Sequence, residues 1–359
     1  MRLHREPGAR ELRVVPELDE HTHLPSLHSL SCLRPDFNLR EKSSRVVNVI
    51  REDKLLQSIL PLFGIPNEDA ALLELSEPGV VVKVDSFEAE LHMFPFMDHR
   101  HAGIRAVIAP VSDVLVKGAY PKAALISLRV PRDMSEEAVQ RLHRGVLEAA
   151  SRYGLRVLGG DTDVAPGGSL RLDVFVIGTL KGKFLKRGGA KVGDLVAITG
   201  RVGLSAVMHA WAFSPQDIEC SLRREDVEGF VWGNIPEPGR WLSYTSCVNS
   251  AIDNSDGLAL SLHYLAEASG VKIVLSNVPL HARLVECFGE EKATTLALYY
   301  SGEEYNFIFT VPPECEDIIK TLGATVIGRV EEGRGVALEG GGEVSRFGWV
   351  GGVGYAERV

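Results

Sequence analysis

Six aspartates, Asp69, Asp85, Asp113, Asp161, Asp253 and Asp256, are the residues of this chain best placed to do chemistry. Asp69, Asp85, Asp161, Asp253 and Asp256 each fall at the edge of an apolar strand-like run or at the entrance of a helix, beside small residues. Carboxylates at strand ends sit where a rigid scaffold presents ligands. Mg2+ is a hard cation that prefers oxygen donors, keeps several waters and shares a few carboxylates with substrate phosphates, so this set suits more than one Mg2+ around a polyphosphate. Taken singly, an Asp beside Gly more often bonds its local backbone as a turn or cap residue. The chain has no G-x-x-x-x-G-K-[ST], so a nucleotide would be held without that phosphate cradle.

The elements that must position these side chains alternate between strand and helix. Gly79 to Phe87, "GVVVKVDSF", is short and β-branched and predicts a buried strand ending at Asp85. Ile104 to Gly118 predicts a helix whose apolar stripe is Ile104, Val107, Ile108, Val111, Val114 and Leu115, with a kink at Pro110. Asp113 lies about 180° from the centre of that stripe. Ala124 to Val130 predicts a strand. Asp133 with Glu136 forms a plausible capping pair for a helix running to Tyr153, which Gly154 can end. The strand Leu155 to Leu158 leads into a loop, Gly159-Gly160-Asp161-Thr162, and a further strand covers Leu172 to Leu180. A second unit opens at Lys186 to Gly200, with "DLVAITG" as its first strand. Its landmarks are an acidic loop feeding a helix (Ala251 to Gly270) and a loop feeding a strand (Tyr300 to Val311). The expected organisation is a mixed α/β protein with an extension over 1–45 and two domains over 46–186 and 187–359.

Composition narrows the function classes. The 359 residues are 45% hydrophobic and 24% charged, as in soluble folded proteins. A net charge of −9 without a Lys/Arg run argues against a nucleic-acid surface. No run reaches the roughly 18 to 20 apolar residues of a membrane span, and the N-terminus lacks the apolar centre of a secretory signal. Cys32, Cys220, Cys247, Cys287 and Cys315 are odd in number, widely spaced and without a C-x-x-C pair, which reads as reduced thiols in a cytoplasmic protein. His21 and His23 stand in the extension as H-T-H, a poor metal site without further partners.

Seven segments then appear in a familiar order: "NEDAALL" (67–73), "KVDSFEAELHMF" (83–94), "PVSDVLVKGAYP" (110–121), "LGGDTD" (158–163), "KRGGAKVGD" (186–194), "IDNSDGLALSL" (252–262) and "SGEEYNFIFTV" (301–311). This order resembles the thiamine-monophosphate kinases of the aminoimidazole-ribonucleotide-synthetase superfamily. The resemblance implies a two-domain α/β fold whose N-terminal domains pair into a β-barrel across a homodimer, with ATP in a cleft near the interface. It further implies Asp69, Asp85, Asp113, Asp161, Asp253 and Asp256 as Mg2+ ligands, and Gly160, Asp161, Arg187 and Ser255 as ATP contacts. Asp161, Asp256 and Arg187 would stand nearest the chemistry. His92 and Glu303 would lie near thiamine monophosphate together with a C-terminal aromatic residue, Trp349 or, in reserve, Tyr355. Where the family usually has Ser or Thr just before the strand-end aspartate, this chain has Lys83-Val84, so an ion there would turn to backbone carbonyls or water.

Such a kinase needs mainly positioning and charge neutralisation. The acceptor is a phosphate monoester, whose second pKa of about 6 leaves it mostly a dianion near neutral pH, so no general base is called for. The expected reaction is in-line transfer without a covalent enzyme intermediate. Two relatives fit less well: Cys32 lacks the Gly-rich surroundings of a selenophosphate synthetase, and the chain ends Ala356-Glu357-Arg358-Val359 rather than in the cysteine of a hydrogenase-maturation protein. The alternatives are a purine-biosynthetic cyclo-ligase and a non-catalytic nucleotide-binding sensor.

Overall fold

The computed structural model describes residues 69–73, 79–218, 220–351 and 353–357. The expected extension over 1–45, His21, His23, Cys32 and the start of the first domain at residue 46 lie outside them. The first half of the described chain runs β1 (Ala71–Leu73), β2 (Val80–Glu88), α1 (Ala89–His92), α2 (His99–Val116), β3 (Ala119–Pro131), α3 (Glu136–Arg152), β4 (Arg156–Ala165) and β5 (Arg171–Leu180). Its sheet has the order β1-β2-β5-β3-β4, antiparallel except for the parallel β3–β4 pair. The second half contains β6 (Leu195–Thr199), α4 (Leu204–Phe213), α5 (Arg224–Trp232), α6 (Pro238–Leu242), β7 (Ser250–Asp253), α7 (Leu258–Ser269), β8 (Lys272–Leu275), α8 (Ala282–Tyr299) and β9 (Phe307–Val311). It closes with α9 (Glu316–Thr321), β10 (Ala324–Glu331), β11 (Gly335–Leu338), β12 (Phe347–Val350) and β13 (Gly354–Glu357). Six of these strands form a sheet ordered β11-β8-β10-β6-β9-β7, and β12 pairs with β13.

Helix α2 is the element the two halves share. Asp98 caps it by accepting from the His101 backbone N at 2.9 Å, and the helix runs as one element through Pro110. Its expected polar face is also covered, because β2 and β5 flank one side, α3 another, and α5 and β7 a third. Asp113 therefore faces the second half of the chain instead of solvent. Packing of α2 on α3 is close enough to need glycine. A Cβ on Gly103 would meet the Leu142 carbonyl O at 2.1 Å, and one on Gly145 the Arg100 carbonyl O at 1.9 Å. Trp241 of α6, fully buried, donates from Nε1 to the Leu115 carbonyl at 2.7 Å and holds the end of α2.

Three local expectations change. Strand β2 runs on to Glu88 because β5 pairs it throughout, so Asp85 lies within the strand and not at its end, and only Val81 and Phe87 of the strand are buried. Ser135, not the Asp133–Glu136 pair, caps α3, accepting from the Ala138 N at 3.2 Å. The Gly159–Thr162 loop is part of β4, which continues to Ala165 because Leu125 to Pro131 of β3 pairs it residue by residue.

Strand alternation sends Val81, Phe87, Leu172, Val174 and Val176 toward the helices. The opposite face of the same sheet carries Val82, Val84, Leu125, Phe175 and Ile177, with Val84 54% and Leu125 42% exposed. No described helix is long and apolar enough to cross a membrane.

The reading of all five cysteines as reduced is corrected. Cys220 and Cys287 are joined as a disulfide, with Cα atoms 5.0 Å apart and a sequence separation of 67. That distance in sequence is why spacing rules could not find the pair. Closing a loop of this length restricts the unfolded chain by about 4 kcal/mol in the chain-entropy model, and measured losses are typically about 2–4 kcal/mol. Dithiothreitol should therefore lower the urea midpoint of the wild-type protein. A Cys287→Ser variant should start at the lowered midpoint and ignore the reductant.

Candidate functional site

The acidic centre is assembled from both sheets. Asp69 precedes β1, Asp85 lies on β2, Asp113 on α2, and Asp253 ends β7. A carboxylate oxygen from each of Asp69, Asp113 and Asp253 can be chosen so that all three lie within 4.8 Å of one another, and all three residues are buried. Asp253 Oδ2 accepts from Ser112 Oγ at 2.6 Å, whereas its buried Oδ1 has no hydrogen-bond partner. Three close carboxylates and one orphaned, buried acceptor are what a hard, oxygen-loving divalent cation would complete.

Cationic side chains surround this centre. Lys117, fully buried, caps the C-terminus of α2. Its Nζ lies 2.6 Å from Asp69 Oδ2 and donates to the Ala251 carbonyl of β7 at 3.0 Å. Arg187 donates from Nε to Asp69 Oδ1 at 3.0 Å. Lys83 Nζ lies 2.7 Å from Asp113 Oδ2 and 3.4 Å from Asp85 Oδ1. Lys83, one of the two residues that stand where the family usually has Ser or Thr, thus brings an ammonium to these carboxylates.

These partners divide the carboxylates. Burial opposes ionisation of Asp69, but Arg187 and Lys117 outweigh it and hold that carboxyl well below the usual range. Asp253 is pushed up to about 7 by burial and by the charge of Asp69. Burial also lifts Asp113 well above the ordinary value, with Lys83 pulling the other way. Around Lys83 burial disfavours the charge, and Asp113 and Asp85 more than compensate.

A second cluster adjoins the first through two interlocked loops. Ser255 and Asp256 sit between β7 and α7, and this loop bonds the one before β9: Glu303 N donates to the Ser255 carbonyl at 2.7 Å and Tyr305 N to the Asn254 carbonyl at 3.0 Å. Glu303 and Tyr305 adopt left-handed backbone, φ 64 and 55, which non-glycine residues rarely do and which often marks ligand sites. Arg105 of α2 clamps Glu303, donating to Oε1 at 2.9 Å and to its carbonyl at 3.0 Å, while His209 Nε2 stands 3.4 Å from Oε2. Burial opposes the charge of Glu303, but Arg105 dominates and lowers it to about 2. His92 accepts on Nδ1 from Glu88 N at 3.0 Å. Burial lowers its pKa, and the charge of Glu303 is the strongest opposing influence.

Aromatic rings line this second cluster. His209 lies 5.2 Å from Phe94, 6.0 Å from Phe230 and 5.6 Å from Tyr355, centroid to centroid. Trp349 stacks edge-on behind Tyr355 at 5.5 Å, and its backbone N donates to the Asp256 carbonyl at 2.8 Å. Tyr355, whose hydroxyl accepts from Gly302 N at 3.1 Å, is therefore the C-terminal aromatic that reaches the Glu303 cluster.

Gly160 and Asp161 do not join either cluster within one chain. Asp85 pairs with Val174, Val174 with Ile126 and Ile126 with Gly160, three ladders that span about 14 Å. The pleat then turns the neighbouring Asp161 to the opposite, exposed face. Gly160 has its own structural requirement, since a Cβ there would meet the Ile126 carbonyl O at 1.7 Å.

Sequence reasoning passed over Arg105, Lys117, His209 and Lys83 as site residues. A signal existed for three of them. Arg105 and Lys117 bracket Asp113 at the two ends of a mostly apolar stretch of α2, and His209 is the one ionisable residue of α4, so burial would force each to find a partner.

Residues 67–180 match the family model described as AIR synthase related protein, N-terminal domain. The chain is 32% identical to the thiamine-monophosphate kinase of Pyrococcus abyssi over 295 residues, 79% of this chain and 89% of that protein. It is also 32% identical to the thiamine-monophosphate kinase of Aquifex aeolicus over 293 residues, 79% of this chain and 91% of that one. Among solved structures, one described as AaThiL complexed with AMPPCP and TMP superposes with a TM-score of 0.74 at 28% identity, covering 86% of this chain and all of that one.

Because Asp253 is held at about 7 by burial and Asp69, it is mostly protonated in the cation-free protein below that pH. A divalent cation needs the carboxylate, so binding must release the proton. Mn2+ affinity should rise by up to about tenfold per pH unit as pH climbs toward 7, and the contribution of Asp253 should level off above it. Calorimetric titration at pH 6 in two buffers of different ionisation enthalpy should detect the released proton. An Asp253→Asn variant should lose both the affinity and its pH dependence.

Proposed function

The chain belongs to the thiamine-monophosphate kinase family, and on that premise we propose that it transfers the γ-phosphoryl group of ATP to thiamine monophosphate, giving thiamine diphosphate and ADP. The observation that carries this reading is the adjacency of two unlike clusters: a buried carboxylate centre ringed by cations, and an ionised Glu303 set among aromatic rings.

The first cluster suits a polyphosphate. Mg2+, which Asp69, Asp113 and Asp253 would hold, with Asp85 tied to Lys83 and Asp256 in the loop after β7, would supply neutralisation of the phosphate charge. Arg187, paired with Asp69, has the length and the guanidinium fork to turn to phosphate oxygens arriving at the same place. Ser255, in the same loop as Asp256, would contact the nucleotide.

The second cluster suits thiamine, whose thiazolium ring is a cation. Glu303, kept ionised by Arg105, offers the counter-charge, and Tyr355, packed with Phe94 and Phe230 around His209, offers a ring of the kind that attracts cationic aromatics. His92, whose charge state Glu303 influences, would meet the substrate here, with Tyr355 rather than Trp349 as the aromatic contact. The acceptor phosphate arrives mostly as a dianion, so the protein has only to aim it along the line of the breaking bond. No covalent intermediate is needed. Gly160 and Asp161 would approach the nucleotide from the exposed strand β4, near the face we assign to a second copy of the chain.

That face is the side of the first sheet that no described helix covers. Val82, Val84, Leu125, Phe175 and Ile177 form an apolar surface opposite the helices, of the sort a second identical sheet would cover in a barrel. We place the homodimer there, and the reaction in the cytoplasm, where ATP is supplied.

Purified protein with ATP and Mg2+ should release ADP only when thiamine monophosphate is added; nucleotide binding without turnover would instead make the protein a sensor. Asp161→Asn should lower kcat by about 100-fold if Asp161 faces the nucleotide charge, and unchanged turnover would remove Asp161 from the site. Light scattering should report a dimer for the wild-type chain and a folded monomer for Leu125→Asp, since a charge cannot be buried unpaired in such an interface.

A further inference from the structure

Lys83 reaches the acidic centre from β2. It sits two residues before Asp85, so both side chains leave the strand on the side facing α2. Its Nζ is 2.7 Å from Asp113 Oδ2 and 3.4 Å from Asp85 Oδ1. Those carboxylates come from different elements, and a point between two such groups is where a divalent ion would bridge them. The place is taken by the protein itself.

We propose that the Lys83 ammonium is a built-in cation at this bridging position, so that the centre takes a divalent ion at Asp69, Asp113 and Asp253 and none between Asp85 and Asp113. This assignment rests on the reading of the centre as the cation and phosphate site of a kinase. Three features carry it. The two contacts put Lys83 where a bridging ion would stand, which excludes that ion sterically and by charge. The remaining carboxylates keep an unfilled coordination position, because Asp253 Oδ1 is buried without a partner. The charges agree in direction: Lys83, Lys117 and Arg187 already bring three fixed cations to Asp69, Asp85, Asp113 and Asp253, which leaves little negative charge to hold a second divalent ion.

An ammonium in this position can also do what a bridging ion would do. It has three N–H donors. Two carboxylates engage two of them, and the third can be given to a phosphate oxygen, as phosphate-binding lysines do. Unlike a diffusible ion, this charge does not depend on the concentration of free cation.

The test counts ions and needs no turnover. Mn2+ alone is titrated into the full chain, and bound and free ion are separated by electron paramagnetic resonance. The wild-type protein should bind about one ion per chain with an uncoupled spectrum, whereas two ions sharing a carboxylate would sit about 4 Å apart and show exchange coupling. Lys83→Thr and Lys83→Met both remove the charge, and each should admit a second, coupled ion. Two coupled ions in the wild-type protein would overturn the proposal even if neither variant folds, and so would folded variants that still bind one. Thiamine-monophosphate-dependent ADP release is measured separately. A change in ion count without turnover leaves the tethered cation standing and removes the kinase reading, while turnover with an unchanged count does the reverse.

Discussion

Carboxylates taken out of water repel one another and lose hydration, and the meeting of the two halves of this chain is organised around that cost. Asp69, Asp113 and Asp253 come from the segment before β1, from α2 and from β7, and they can share one buried position only if positive charge is supplied with them. Lys117 illustrates the solution. It is fully buried, it pairs with Asp69 of the first half, and it also donates to Ala251 of the second. One ammonium thus offsets charge in the centre and ties the halves together.

The geometry of α2 follows from this demand. Along its length it carries Arg105 for the Glu303 cluster, Ser112 and Asp113 for the acidic centre, and Lys117 at its end. A helix serving so many partners cannot keep one face in solvent. It is enclosed on several sides, and Gly103 and Gly145 allow α3 to approach at backbone contact so that the enclosure leaves no gap. The buried polar residues of α2, Arg105, Ser112 and Asp113, are tolerated because each has a partner from another element.

The two clusters use the same loops for opposite electrostatic ends. Arg105 keeps Glu303 ionised, while burial and a neighbouring charge leave Asp253 ready to hold a proton or a cation. The interlock of Asn254–Ser255 with Glu303–Tyr305 fixes the distance between them. A site that must align a polyphosphate with a cationic aromatic acceptor needs such a rigid spacing, since misplacement by an ångström costs orders of magnitude in rate.

Much of this was legible in the chain itself. Strand periodicity located β2, β3 and β5, the apolar run located α2, and the ordered acidic segments identified the family and the carboxylates Asp69, Asp85, Asp113 and Asp253 that the fold brings together. These are local or collective signals, carried by neighbouring residues or by order along the chain. Tertiary structure alone decided the rest. Asp161 faces away from Asp85 because pleat parity and ladder count are set by pairing across β5 and β3. Cys220 finds Cys287 across 67 residues, and Tyr355, not Trp349, reaches the Glu303 cluster because of how β13 lies against β12. Lys83 looked like the loss of a ligand, and its gain, an ammonium between Asp85 and Asp113, depends on a partner 30 residues away on α2 whose direction no spacing rule encodes.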